Sequence, residues 1–497
     1  MGDQWNAFVV GPREHAPART AGPLCGLTFG VKDIVDVAGL PSRHGLAAEA
    51  PPAEATNSAV TALLDAGASC VGKTTTDQYA FSLSGLDTAG SAPVNPRDPT
   101  RLTGGSSSGS AAAVASGLVS FALATDTAGS IRVPASYCGI VGFRPSHGAV
   151  PLDHVGPLAP SFDTLGWFAA DVHTAARVGD ILLPADTPGM PKPRTVLLLS
   201  EALDAVDQAT RAEVTRFAEH LAKALEIPCR TISAGVHLDD VGSVFRAAQL
   251  TEIAAHQRDL EGVLPAIRTR FADAATAVEN PQQQARVRVA LSGLKDSLDQ
   301  GDLLALPAAA GAAPRVTAVG AEEYDSHRTT TIALNAVAGL LGAPAIVLPT
   351  YEPHTGIQLV GAPGADRALL TSATAAPDQP RQRHGDALRA AFYQYETALT
   401  EGDIDTLDSF FASSDPCIRF APDGSAYSRE QIRALRVSRA APRELTRIEF
   451  AALDQETAVV AAEFIRTGSG VSGFQTQTWQ HTSEGWRIRM AHVSLRT

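Results

Sequence analysis

The chain has little that would tie it to a membrane, a nucleic acid or an oxidising compartment. No apolar run reaches the roughly 20 residues needed to span a bilayer. Acidic residues outnumber basic ones by 53 to 40, giving a formal net charge of −13. The basic footprint required by nucleic acids or anionic membranes is therefore missing, and neither is expected as a partner. The five cysteines, Cys25, Cys70, Cys138, Cys229 and Cys417, are scattered without a close pair. They read as reduced thiols of a cytoplasmic protein, not as a disulfide framework or redox pair. The thirteen histidines show no ligand spacing, so no metal site is expected; His147 and His154 read as turn or surface residues. The opening Met1–Asn6 is neither a signal peptide nor a myristoylation motif, because Asn6 stands where serine or threonine is needed. There is no internal repeat. What remains is a chain of 497 residues, 44% of them apolar, long enough to divide and to bury a sizeable core.

Against that background two serine-bearing blocks stand out. The first is Gly104-Gly105-Ser106-Ser107-Ser108-Gly109-Ser110, running into the small-residue stretch from Ala111 to Gly117. The second is Asp126-Thr127-Ala128-Gly129-Ser130-Ile131-Arg132-Val133-Pro134. Upstream lies Lys32, inside the apolar run Leu27 to Val35. Each block alone is ambiguous. Glycine and serine followed by alanine commonly make a turn into a tightly packed helix. Gly105-x-Ser107-x-Gly109 also fits a nucleophile elbow with Ser107 attacking. A phosphate loop does not fit, since no Lys-Ser or Lys-Thr follows the glycines. A lysine in an apolar strand is usually placed at an edge with its head in water. Taken together, the three segments supply a nucleophile, a relay hydroxyl and an amine base, the parts that open an amide without histidine.

From about Leu27 to Ala170, and more loosely from Asn335 to Leu370, the chain resembles the amidase signature family, with Gly104 to Pro134 matching the signature itself. Tyr137 to Gly148 and Ser161 to Phe168 are especially similar to the plant indole-3-acetamide amidases. Ala128 departs from the commoner second glycine and is small enough to keep the backbone shape. The resemblance implies Ser130 as nucleophile, Ser106 as bridging serine behind a cis Gly105–Ser106 peptide, and Lys32 as base. It implies the backbone N–H groups of Thr127, Ala128, Gly129 and Ser130 as oxyanion donors, with Ser107, Asp126 and Arg132 supporting them. A lysine base must be neutral, so burial has to lower its pKa from about 10.4; Phe29, Val31, Ile34 and Val35 supply apolar flanks. No cofactor is implied. The expected activity is hydrolysis of a small primary amide, arylacetamide-like or carbamoyl- or malonamate-like, to carboxylate and ammonia. An ammonia-producing amidotransferase subunit acting on transfer RNA is the alternative of another kind.

Helical and strand patterns alternate over the first 370 residues, which predicts an α/β fold with a mixed twisted sheet flanked by helices. Ala59–Gly67 reads as a helix with a glycine stop, followed by a strand over 69–72. Residues 204–225 and 245–300 read as two long helical stretches. The proline- and charge-bearing stretch 373–385 reads as a linker, bounding an amidase domain over 1–372 and a second domain over 386–497. In the latter, Leu388, Ala391, Phe392, Tyr395 and Leu399 share a helical face, and Ser428 with Gln431 makes a capping box. Four strands follow, Thr446–Leu453, Ala458–Arg466, Gly473–His481 and Trp486–Leu495, the last two forming a hairpin.

Helices followed by an antiparallel meander resemble the small α+β cone of the SnoaL-like superfamily. Phe464-Ile465-Arg466, Gln475 to Trp479 and Gly485 to Leu495 are similar to the cone proteins that accompany amidases in cyanuric acid and oxalurate breakdown. Tyr395 and Arg419 match the functional tyrosine and arginine of the cyanuric acid branch, where such a protein is itself a decarboxylating amidohydrolase. That leaves two roles for the tail, a second pocket or a module that pairs chains into a homo-oligomer, such as a dimer.

Overall fold

The computed structural model describes residues 3–11, 15–18, 22–185, 192–256, 258–376, 380–412, 417–422, 424–435, 443–452, 456–482 and 485–496. The chain divides into two compact units, Met1–Pro377 and Asp378–Thr497.

In the first unit the described strands are β1 (Phe8–Val10), β2 (Thr28–Lys32), β3 (Ser69–Thr74), β4 (Phe121–Asp126), β5 (Val141–Arg144), β6 (Thr164–Ala169), β7 (Thr195–Leu199), β8 (Cys229–Ile232), β9 (Asp302–Pro307), β10 (Ala345–Pro349) and β11 (Gly356–Val360). They form one 11-stranded sheet in the order β1-β3-β2-β4-β6-β5-β10-β11-β9-β7-β8. It is mixed as expected: β2 runs parallel to β3 and β4, and β7 to β8 and β9. The remaining pairs, such as β4 with β6, are antiparallel. Because side chains alternate along a strand, neighbouring residues feed opposite faces. Val196 and Leu198 join a core with the helices Ser58–Asp65, Val172–Leu182 and Gln208–Ala224. Leu197 and Leu199 join another, with Leu238–Ala255, Pro281–Asp299 and Glu322–Leu341. The result is a helix–sheet–helix sandwich whose central strands are buried on both sides.

The helix Ser58–Asp65 and strand β3 fall where the sequence places them. The stretch read as one helix over 245–300 is instead parts of three: Leu238–Ala255, Pro265–Ala274 and Pro281–Asp299. Pro265 and Pro281 each begin a helix, the position where a missing N–H costs nothing. The same effect shortens the supposed linker. The helix Asp366–Ala373 ends at its start, and the helix Pro380–Glu401 covers its end, so residues 380–385 are helical. Residues 377–379 lie outside those described.

The second unit holds a 6-stranded sheet of β12 (Ile418–Ala421), β13 (Gly424–Ala426), β14 (Arg443–Ala452), β15 (Thr457–Arg466), β16 (Ser472–Thr482) and β17 (Gly485–Leu495), ordered β13-β12-β17-β16-β15-β14. The four long strands are antiparallel and match the expected meander. The sequence reading missed β12 and β13; β12 joins β17 in parallel. Leu388, Phe392 and Tyr395 pack under the sheet with Trp479 and Trp486. The capping residues are engaged at the helix Arg429–Leu435: Gln431 N donates to Ser428 Oγ at 3.3 Å, and Tyr427 N to Gln431 Oε1 at 2.8 Å.

Candidate active site

Three neighbouring parallel strands, β3, β2 and β4, end side by side, and chemistry gathers beyond their carboxyl ends, where open α/β sheets place ligands. Lys32 is the last residue of β2 and Asp126 the last of β4. The helix Ser108–Ala115 begins directly after Ser106 and Ser107, and the helix Arg132–Cys138 shortly after Ser130. Alanines at 111, 112 and 113 are fully buried, so the first helix packs close behind β4.

Lys32 has no solvent exposure. Its Nζ donates to the hydroxyls of Ser106, Ser107 and Thr125, each at 2.8 Å. Burial lowers its pKa to about 7, against the opposing pull of Asp77, Asp126 and Asp163. Ser107 Oγ in turn donates to the carbonyl oxygen of Thr125 at 3.1 Å.

The Gly105–Ser106 peptide is cis. The Ser106 carbonyl accepts from Asp77 N at 3.1 Å and Thr76 Oγ1 at 2.9 Å. A Cβ at position 105 would stand 2.0 Å from Asp77 Oδ2 and 2.7 Å from Gly85 N, so only glycine fits. The Asp77 carboxyl is buried and accepts from Gly85 N and Asp87 N at 3.1 and 2.9 Å. Burial, reinforced by Asp87, pushes its pKa up to about 7.

Asp126 anchors the second block. Its carboxylate accepts from the backbone N–H groups of Gly129, Ile131 and Arg132. It also pairs with the guanidinium of Arg132 at 2.7 Å and of Arg144 at 3.0 Å, all three side chains being fully buried. Burial alone would raise its pKa; the two arginines override this and hold it well below the usual carboxylate range. Thr127 Oγ1 donates to Asp163 Oδ1 at 2.5 Å.

One expectation is corrected here. The Gly129 N–H is already committed to Asp126 Oδ1 at 3.1 Å, so it is not a free donor. Among the described residues, the N–H groups of Thr127, Ala128 and Ser130 have no protein acceptor. Gly129 has a different purpose: its φ is +114°, and a Cβ there would meet Asn335 Cγ at 2.9 Å. Ser130 is 4% exposed. Among the described residues its Oγ holds no hydrogen bond, as suits a hydroxyl kept open for substrate.

The structure thus draws Lys32, Ser106 and Ser107 into direct contact and ties Asp126 to Arg132. It adds Thr125, Asp77, Arg144 and Asp163, to which the sequence assigned no role. Thr125 carried a usable signal, a hydroxyl at the end of an otherwise apolar strand beside Asp126. In the second unit Tyr395 is buried, with ring centroids 6.2 Å from Phe410 and 6.3 Å from Trp479. Arg419 lies on β12 opposite Ala426 and Ala491, both buried, so it shares the covered side of the sheet. Among the described residues no group of three or more His, Cys, Asp or Glu is placed to hold a metal, and no helix is long and apolar enough to cross a membrane.

Comparison with known proteins gives two family matches, Amidase over residues 11–196 and AtzH-like over 384–497. Amidase 1 of Oryza sativa subsp. japonica is 34% identical over 406 residues, spanning 73% of this chain and 92% of that protein. A solved structure reported as "Crystal structure of amidase" superposes with a TM-score of 0.60 at 32% identity, covering 71% of this chain and 84% of that one. Another, from a vestigial protein complex bearing on the origins of an s-triazine catabolic enzyme, gives a TM-score of 0.63 at 26% identity, covering 74% and 86%.

Proposed function

The chain belongs to the amidase signature family and is a hydrolase of amide C–N bonds, and from that premise we propose that it opens a small primary amide at Ser130 through an acyl-enzyme. Ser130 Oγ attacks the amide carbon while its proton passes by way of Ser106 to neutral Lys32. The oxyanion is met by the N–H groups of Thr127, Ala128 and Ser130. The C–N bond breaks as the proton returns through Ser106 to the nitrogen, and ammonia leaves. Water then attacks the ester with the relay repeated, releasing the carboxylate and restoring Ser130.

The observation that carries this reading is a fully buried amine whose three partners are all hydroxyls. Labelling by a fluorophosphonate tests it. Adduct mapped to Ser130, lost in Ser130→Ala and kept in Ser107→Ala, is the expected result, with ammonia released from arylacetamides or carbamoylated amides. Adduct at Ser107 would restore the elbow reading and overturn this one.

The second unit is assigned an assembly role. Supporting this, Phe420, Tyr427, Ile465 and Met490 are large apolar residues at 37–60% exposure. Phe420 and Met490 stand on adjacent strands, opposite His492 and Ile418, on the side of the sheet away from Ala491. Two copies pairing through this face would cover it.

A further inference from the structure

Beside the serines lies a concentration of positive charge that the hydrolytic machinery does not use. Arg246, Arg270 and Arg328 come from three helices, Leu238–Ala255, Pro265–Ala274 and Glu322–Leu341. Arg246 and Arg270 reach the segment 81–87, and Arg328 lies within electrostatic reach of its Asp87. Arg270 donates to the Phe81 carbonyl and to Asp87 Oδ2, each at 3.0 Å. The Arg246 guanidinium sits 5.7 Å from the centre of the Phe81 ring.

This segment adjoins the reacting groups. Asp87 N donates to Asp77, and Asp77 N to the Ser106 carbonyl. Phe81 packs in one core with Ala128 and Tyr137. His327, the residue before Arg328, hydrogen-bonds Tyr137 Oη at 2.8 Å, and the Tyr137 ring flanks Gly104.

Among the described residues only one of the three guanidiniums has a carboxylate in contact. Asp87 serves Arg270. Among the described residues, Arg328 makes no hydrogen bond or ion pair, and its Nε is buried without a partner. Among the described residues Arg246 makes a single hydrogen bond, to Gln249 Oε1 at 3.4 Å. Asp273, Asp325 and Asp87 lie within electrostatic reach, but among the described residues none pairs with Arg246 or Arg328; Asp273 and Asp325 are exposed, and Asp87 is taken by Arg270. Burial and mutual repulsion lower the pKa of Arg246 to about 10 and that of Arg328 in the same direction. Desolvated like charges whose carboxylates stay out of contact are costly, and a ligand that brings an anion against them relieves that cost. A guanidinium fork matches a carboxylate in geometry as well as sign.

We propose that Arg246 and Arg328 receive a carboxylate of the substrate, so that the amide cleaved is a short carboxylate-bearing one, such as the monoamide of a dicarboxylic acid. This rests on the reading of Ser130 as nucleophile. Arg270, held by Asp87, sets the edge of the subsite.

The test uses the full chain and the rate of fluorophosphonate labelling at Ser130. Malonate, succinate and glutarate are compared as protectants with propionate, butyrate and valerate, which match them in length and lack the second charge. The best dicarboxylate should protect at a concentration at least tenfold below its monocarboxylate counterpart. Arg328→Gln should erase that advantage and Arg328→Lys should keep part of it. If Arg328→Gln does not fold, Arg246→Gln reads the same loss. Equal protection by both series, with labelling intact, overturns the carboxylate subsite and leaves the amidase reading standing. No labelling of wild-type Ser130 overturns both.

Discussion

Two lysines stand on adjacent parallel strands, Lys32 on β2 and Lys73 on β3, and both are fully buried. Only one is equipped to give up its proton, and the difference lies in what their partners can do. Lys73 Nζ donates to the carbonyl oxygens of Asp33 and Pro41 at 3.0 and 3.4 Å and to Ser42 Oγ at 2.7 Å. Carbonyls accept only, and the Ser42 hydroxyl already donates to Asp36 at 2.6 Å. A neutral Lys73 would therefore present a lone pair with no donor. Asp33 and Asp36 further favour its charged form, against the desolvation that lowers its pKa.

Around Lys32 the hydroxyls are not all spent. Ser107 gives its proton to a carbonyl, but Ser106 and Thr125 donate to no other acceptor among the described residues. Either can turn its proton toward the lone pair of a neutral amine. Burial alone does not make a base; partners that can reverse their hydrogen bonds do.

Exchanging each lysine for an apolar residue breaks the comparison most directly. Lys32→Met, like Ser130→Ala, should lower kcat by about 10³ or more, measured as ammonia release. Lys73→Met should keep kcat per folded molecule within about tenfold. Its cost should appear in the melting temperature, because each buried acceptor left unpaired destabilises by about 1–3 kcal/mol. The opposite pattern would mean that the structural and chemical lysines have been exchanged.

Acidity gives the next effect. With a Lys32 pKa of about 7, kcat/KM should fall about tenfold per pH unit below it and level off above. At pH 5 that is a loss of about 100-fold, and Lys73→Met should leave the curve in place. The sign for stability follows. The unfolded chain holds its Lys32 proton up to about pH 10.4, so it binds more protons than the folded state between there and pH 7. The contribution of this group to stability is therefore flat below about 7 and rises from 7 to 10.4. Subtracting the urea midpoints of Lys32→Met from those of wild type across that range isolates it.

Ser107→Ala sharpens the contrast more gently. It removes one acceptor from Lys32 while leaving Ser106 and Thr125, and should lower kcat about tenfold, near the worth of one buried hydrogen bond. The smallest effect on turnover belongs to the second unit. Truncation after residue 377 should reduce the oligomer size seen in solution scattering while ammonia release stays within about tenfold. An unchanged size with a two-step substrate halted midway would make the tail a second enzyme instead.

Much of this was legible in the residues and some was not, for physical reasons. The serine blocks and Lys32 are each ambiguous alone, and it is the resemblance to the amidase signature over Gly104 to Pro134 that gives them roles. The meander is read from four strand-like runs, the last two as a hairpin; the period-two burial of Ala458, Val460, Ala462 and Phe464 comes with the structure. The helix breaks at Pro265, Pro281 and Pro380 were misplaced because proline ends some helices and begins others, and composition does not say which. Asp77, Asp163 and Arg144 reach the site only through the fold, from separate strands and loops. The commitment of the Gly129 N–H could not be read either, because it depends on where a side chain three residues earlier turns.

The Asp126 carboxylate and Lys32 have acid thresholds far apart. On the proposed mechanism, protonating Lys32 should silence the relay near pH 7, whereas the depressed pKa of Asp126 keeps its carboxylate ionised well into acid. The stability Asp126 lends is fully present above its unfolded pKa of about 3.9 and is lost progressively as pH falls from there to the lower folded value. Between the thresholds the molecule should be dormant but intact. A sample held at pH 5 and returned to pH 8 should recover its turnover as fast as a proton leaves, with no lag for refolding.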